Sequence, residues 1–292
     1  RTDTMSYGSL WERLVRGVHW CWVDPRYQAA LPPNLDASVM AIDSRDRFHA
    51  KQGRSTARVI FHRKDGTLDR PVAVYLKRHY RLPWLTGIAA LFDPAGRHSP
   101  GAAEWARLER ARALGVPVPE VVATGERIGP WAHLQSYLMV AELTECQELN
   151  VALPELAGEL DLDAFEKLKK RVIIEMARIT ATLHAARIFH KDLYLCHFYL
   201  DRARLRQDPR AVRLSLIDLH RLGEHRLFAD RWRWKDLGQL LFSTYGVPGI
   251  YAWDIRRFWF HYQRMVALRR PEWQARMIQF KARRYREHNR PG

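Results

Sequence analysis

Cysteine is scarce: Cys21, Cys146 and Cys196 are an odd number without metal-ligand spacing, which argues against both a disulfide framework and a zinc cluster. A reducing compartment suits that composition. Long apolar runs are missing too, none approaching the roughly 18 residues of a spanning helix. The N-terminus lacks the charged, apolar and small-residue order of a signal peptide, so a cytoplasmic or peripheral protein is expected. The chain begins at Arg1, with Met5 following, and a trimmed targeting segment is compatible with that start. Acidic residues are in deficit, 32 against 48 Lys and Arg, giving a formal charge of +16. Internal repeats and low-complexity linkers are absent as well.

What remains is a chain of 292 residues, 47% hydrophobic, long enough for one large domain or two lobes with a buried core. The surplus of positive charge calls for an anionic partner. Charge by itself does not separate nucleic acid, an anionic membrane surface, a phosphorylated substrate and an acidic protein. The aromatics fall in apolar helical stripes rather than between basic groove residues, so nucleic acid is not expected.

Residues 1–35 read as an irregular or short-helical N-terminal extension ending in Leu31-Pro32-Pro33-Asn34. Residues 36–143 follow as a small sheet-bearing lobe. Arg47–Gln52, the loop Gly53-Arg54-Ser55-Thr56, Ala57–Arg63, the turn Asp65-Gly66 and Pro71–Lys77 read as antiparallel strands. Alternation puts Ala73, Tyr75 and Lys77 on one face of the last strand. Residues 82–92 form a short apolar segment, suited either to membrane docking or to a core-facing connector. A helix is expected over Gly101–Leu114, stopped by Gly115 and Pro117, with Glu104 in its first turns. Val121–Ala123 and Leu138–Val140 supply further strands, and residues 141–150 make a hinge.

Residues 144–292 read as mainly helical. Leu168, Val172, Met176, Ile179 and Leu183 recur at helical spacing within Phe165–Arg187. That helix delivers the chain to His190-Lys191-Asp192-Leu193-Tyr194-Leu195-Cys196-His197. Phe198–Asp201 and the alternating Val212, Leu214, Leu216 then make two short strands, the second ending at Asp218. Trp232–Phe242 and Ile255–Leu268 carry further stripes. Residues 255–292 hold 11 Lys and Arg against two acids, the most basic end of the chain.

The order of small sheet, strand lysine, helix glutamate, hinge, helix, His-x-Asp loop and strand-end aspartate resembles the protein-kinase-like fold. It implies an α+β, bilobal architecture with an antiparallel-sheet N-lobe carrying one main helix and a helical C-lobe. Phosphoryl transfer needs a cation on the nucleotide phosphates, a carboxylate for the metal and a base for the acceptor hydroxyl. In that likeness Lys77 binds the ATP phosphates and pairs with Glu104. Glu109 is the rival, less suited because Ala102-Ala103-Glu104-Trp105 sits nearer the helix start. Asp192 would be the base and Asp218 the Mg2+ ligand. His197 stands five residues after Asp192, where a protein kinase carries its second metal ligand; a satisfied structural histidine is the alternative. His190 and Asp236 would be structural supports. Gly53, Arg54, Ser55 and Thr56 would cradle phosphates, although one glycine is a weak signature.

Three stretches are more particular: Gln52-Gly53-Arg54-Ser55-Thr56, His190 to Phe198, and Ile217-Asp218-Leu219-His220-Arg221. Over about residues 45–245 they are similar to the lipopolysaccharide kinase family. That resemblance implies an ATP- and magnesium-dependent kinase for heptose or Kdo of the lipopolysaccharide inner core. It would work as a peripheral protein on the cytoplasmic face of the inner membrane. The chain departs from protein kinases in having no Ala-Pro-Glu segment and few residues between Asp218 and the Trp-rich helix. A long activation loop is therefore not expected. A soluble aminoglycoside- or choline-type kinase shares the lysine and both aspartates, and a non-catalytic scaffold binding membrane or an acidic protein is the non-enzymatic alternative.

Overall fold

A computed structural model describes residues 9–42, 47–51, 53–62, 71–82, 84–93, 96–129, 131 and 133–289. The chain divides into two compact units, with Glu109–Val118 belonging to the second and Pro119–Glu142 to the first; the final passage between them falls between Glu142 and Leu143.

The first unit contains α1 (Leu10–Arg16), β1 (Val18–Val23), α2 (Leu35–Ser38), β2 (Arg47–Lys51), β3 (Arg54–Phe61), β4 (Val72–His79), α3 (Trp84–Phe92), most of α4 (Pro100–Ala113), β5 (Val121–Ile128) and β6 (Leu134–Ala141). Its strands form one antiparallel sheet in the order β1-β5-β6-β4-β3-β2. Val74 and Leu76 of β4 turn inward onto Met139, Val122 and a cap made by Leu31, Leu35 and Val39. The opposite face carries α4, where Trp105 stacks at 5.2 Å on Trp22.

This corrects the reading of residues 1–35 as a lead-in. Val18–Val23 is an edge strand paired with β5, and Leu31 and Leu35 belong to the core. The strand escapes detection because Val-His-Trp-Cys-Trp-Val shows little polar alternation. Cys21 and Val23 face the core, while Trp20 and Trp22 are taken up by Trp105 on the other side. The Asp65-Gly66 turn and Gln52 lie outside the described residues. Within residues 82–92, Gly87, Ala90 and Leu91 are buried, while Trp84, Leu85 and Phe92 remain exposed.

The second unit contains β7 (Cys146–Glu148), α5 (Leu149–Glu159), α6 (Leu162–Ala185), β8 (Ile188–Phe189), β9 (Phe198–Asp201), α7 (Arg202–Gln207), β10 (Leu214–Leu216), β11 (Gly223–Glu224), α8 (Ala229–Ser243), α9 (Ala252–Met265) and α10 (Pro271–His288). Helix α6 begins where Asp161 accepts from the Ala164 amide at 2.9 Å, an N-cap that satisfies one orphan donor. Its apolar stripe is buried, and Ala177 and Ala181 join Leu237, Tyr262 and Ile278 of the later helices in one core. Lys169 on α6, 1% exposed, is paired with Asp254 of α9 at 3.0 Å, which ties the two helices by charge as well as by packing. Strands β10, β9 and β7 form a small antiparallel sheet, and β11 pairs with β8. These short ladders hold both ends of the loop after α6.

Candidate active site

In the first unit the geometry follows from strand register. Lys77 projects from the β4 face that carries α4, and its Nζ donates to Glu104 Oε1 at 2.6 Å, with Glu104 itself buried. Glu109 instead accepts from Arg112, also at 2.6 Å. Thr56 lies directly opposite Lys77 across the ladder, and Arg54 opposite His79, so all four share a face. Burial, with the Arg54 and Lys77 charges beside it, pushes the His79 imidazole down to about 4. The described part of the expected loop 53–56 is mostly strand: Gly53, at φ +74°, is its turn residue, and pairing begins at Arg54. Ser55 faces the core, where its hydroxyl accepts from Arg78 Nε at 3.0 Å and meets the Tyr80 hydroxyl at 3.2 Å. The Ser55 side chain is thus used up internally.

In the second unit the functional side chains sit on irregular backbone. Lys191 and Asp218 have φ of +68° and +61°, the left-handed region that costs a non-glycine residue energy. Asp236, fully buried on α8, holds the first of these. Its carboxylate accepts from the amides of His190 and Lys191, both at 2.7 Å, and from His184 Nε2 at 3.2 Å. Ile217 fixes the second: its amide donates to the His197 carbonyl at 3.0 Å, and its carbonyl accepts from His190 Nε2 at 3.0 Å. Burial lowers the pKa of both His184 and His190, keeping them neutral.

His197 links the two aspartates. Its Nδ1 donates to the Asp192 carbonyl at 2.7 Å, and because a carbonyl only accepts, Nδ1 must carry hydrogen. In the neutral ring Nε2 then presents a lone pair, 3.8 Å from Asp218 Oδ2. Two acceptors facing each other at that distance suit a cation between them. The Asp218 carboxylate is the kind of hard oxygen ligand that magnesium takes, one or two such groups sufficing beside water and phosphate, whereas a neutral imidazole is a poor ligand for it and suits a hydrogen bond to a carboxylate or phosphate. Among the described residues no group of three or more His, Cys, Asp or Glu could hold a metal alone. Asp218 Oδ1 meets His220 Nδ1 at 2.5 Å.

Asp192 uses both oxygens: Oδ1 accepts from Gln239 Nε2 at 3.2 Å, and Oδ2 accepts from Arg221 Nη1 at 3.1 Å. Sequence reasoning misses Gln239, although it lies three residues after Asp236 and therefore on the same side of α8. It also misses the Arg221 contact, which depends on the path of the turn after Asp218. The prominent apolar cavity of this unit, about 180 Å³, lies elsewhere, among residues such as Val172, Met176, Leu237, Phe258 and Ile278, and neither aspartate lines it.

The architecture is that of the α+β, protein-kinase-like fold class, and the comparison with solved structures agrees. WaaP in complex with acyl carrier protein matches with a TM-score of 0.65 at 24% identity, over 93% of this chain and 100% of that one. The chain belongs to the lipopolysaccharide kinase (Kdo/WaaP) family, which it matches over residues 90–262. It is 33% identical over 157 residues to the lipopolysaccharide core heptose(I) kinase WaaP of Pseudomonas aeruginosa, covering 53% of this chain and 56% of that protein. The Escherichia coli protein of the same name is 32% identical over 157 residues, 53% of this chain and 57% of its own length. The chain thus spans a little over half the length of the curated relatives it matches.

Proposed function

We propose that this protein is an ATP- and magnesium-dependent kinase that phosphorylates a sugar hydroxyl, heptose or Kdo, of the lipopolysaccharide inner core. The observation that carries the reading is the placement of His197, whose Nδ1 donates to the Asp192 carbonyl at 2.7 Å and whose Nε2 lies 3.8 Å from the Asp218 carboxylate. It sets the proposed base and the proposed metal ligand on either side of one ring. Family membership and the curated heptose(I) kinase relatives support the choice of acceptor.

In this reading the sheet-bearing unit takes the nucleotide, and the helical unit supplies base, metal ligand and acceptor surface. Lys77, held by Glu104, meets the nucleotide phosphates, with Gly53, Arg54 and Thr56 on the same sheet. Asp192 orients the acceptor hydroxyl and takes its proton. Asp218, with His197 beside it, holds the magnesium, which when bound neutralises phosphate charge. His190 and Asp236 keep the loop in place.

The same reading makes the protein peripheral at the cytoplasmic face of the inner membrane, next to its lipid-linked acceptor. Among the described residues no helix is long and apolar enough to cross a membrane. Trp84, Leu85 and Phe92 on α3 and Trp11 and Val15 on α1 are exposed around one apolar cluster, with Arg16 and Arg81 close in sequence. Interfacial tryptophans beside basic residues suit an anionic bilayer. The basic α10, with Arg283, Arg284 and Arg286 exposed, suits the acceptor's anionic groups or an acidic protein of the acyl carrier protein kind, the partner in the WaaP complex.

The test is ATP turnover with defined inner-core acceptors against soluble sugars and aminoglycosides, comparing wild type with Asp192→Ala. Transfer to inner-core acceptors that disappears in the variant is expected. Undiminished transfer by Asp192→Ala, or transfer to aminoglycosides alone, would refute the reading.

A further inference from the structure

Both oxygens of Asp192 are engaged, and the two contacts differ in kind. Gln239 is buried on α8 and also donates to the Tyr194 hydroxyl at 2.9 Å, so it is part of the fixed frame. The Arg221 side chain is 49% exposed. Among the described residues its hydrogen bond to Asp192 Oδ2 is the one it makes. Arg221 also ends the short helical turn Leu219–Arg221 that starts directly after Asp218.

A second cation lies near this contact. Lys235 Nζ donates to the Lys191 carbonyl, and burial, followed by the nearby Arg221 charge, lowers its pKa. Lys191 Nζ lies 5.0 Å from the Trp232 ring centre and against Gly223, where a Cβ would come within 2.5 Å of it. The neighbouring acids have work of their own: Asp236 holds the loop amides, Asp218 meets His220, and Glu224 accepts from Arg226 at 2.9 Å. Asp192 therefore has both Arg221 and Lys235 as cationic neighbours. A partly exposed ion pair is weak and exchangeable, and a guanidinium binds a second carboxylate or a phosphate as readily, through two parallel hydrogen bonds.

We propose that Arg221 is an exchangeable latch on the base: without acceptor it covers Asp192 Oδ2, and with acceptor it moves to an anionic group, carboxylate or phosphate, carried beside the reacting hydroxyl. This rests on the reading of Asp192 as the base. The exchange frees Oδ2 for the acceptor hydroxyl only when that hydroxyl belongs to an acidic glycan. Water arriving alone meets a covered carboxylate, so futile ATP hydrolysis is suppressed by the same contact.

The test uses deacylated inner-core oligosaccharide in three forms: intact, with carboxyl groups reduced to alcohols, and with phosphates removed. Wild type, Arg221→Gln, Arg221→Lys and Asp192→Asn are compared in steady-state transfer, in ADP release without acceptor, and in equilibrium binding of each oligosaccharide without ATP. Arg221→Gln is expected to lower kcat/KM and binding for the intact form by about tenfold to a hundredfold, the loss of a charge-assisted contact. It should leave one derivative nearly unaffected and raise acceptor-free hydrolysis, while Arg221→Lys recovers part of the loss. The insensitive derivative identifies the anion as carboxylate or phosphate. Equal losses on all three forms, with binding unchanged, would overturn the latch and make Arg221 a prop for Asp192. If Asp192→Asn transfers as well as wild type, the base assignment fails instead, and the binding arm still decides whether Arg221 holds an anion.

Discussion

The two units hold their charged side chains by different means. In the first, Lys77 and Glu104 sit on a strand and a helix whose regular hydrogen bonding already fixes their height and direction, and a single contact of 2.6 Å joins them. In the second, Asp192 and Asp218 sit on backbone that leaves regular structure, two of whose residues have positive φ. There a buried carboxylate, two imidazoles and a glutamine cross-link the loops. Where the ladder supplies the geometry, side chains are free for ligand. Where it does not, buried polar groups must supply it.

That contrast can be broken most severely at Asp236. Asp236→Ala leaves two loop amides and His184 without their acceptor, and a loss of about 3–5 kcal/mol in urea unfolding is expected. Asp192→Asn should instead leave the fold standing while phosphoryl transfer falls by about a hundredfold to ten-thousandfold, measured in single turnover. Glu104→Gln is expected to raise the KM for ATP about tenfold, the worth of one charged hydrogen bond, with an unchanged circular dichroism spectrum. An unfolding effect as large as that of Asp236→Ala would erase the distinction.

Acidification probes both units. His79 has its pKa pushed from an ordinary 6.5 down to about 4, and those of His184 and His190 are also lowered by burial. The unfolded chain therefore binds more protons than the folded one below pH 6.5. Stability should be full above that pH and fall by up to about 1.4 kcal/mol per pH unit per histidine as pH drops. For His79 the loss runs from pH 6.5 to about 4. Urea midpoints between those limits should fall less steeply for His79→Asn than for wild type; an identical slope would remove His79 from the account. Ser55→Ala, smallest of all, should cost about 1 kcal/mol with ATP binding unchanged.

How far the sequence carries follows the same division. Periodicity places Lys77 on a strand face and Glu104 near a helix start, and those two side chains meet. The stripe from Phe165 marks α6 because one face alone is buried. The strand Val18–Val23 is hidden because both of its faces have partners over most of its length, and the single polar His19 makes no alternating pattern. The task of the Ser55 side chain is unreadable until the β3–β4 register sets it opposite buried Arg78. Gln239 and the Arg221 contact stay invisible because irregular backbone, with no period, decides which side chain reaches Asp192.

Among the contacts of α8 with the loop, three mark one face: Asp236 at the amides of His190 and Lys191, Gln239 at the Asp192 carboxylate, and Ser243 Oγ at the Leu195 amide. These positions follow the turns of the helix, so α8 acts as a gauge against which the loop is set. One residue inserted ahead of Asp236 would rotate the face by about 100° and remove all three marks together. The transferable unit of this chemistry is therefore not the stretch His190–His197 alone. It is that stretch together with a helix face whose first mark lies 46 residues further along the chain.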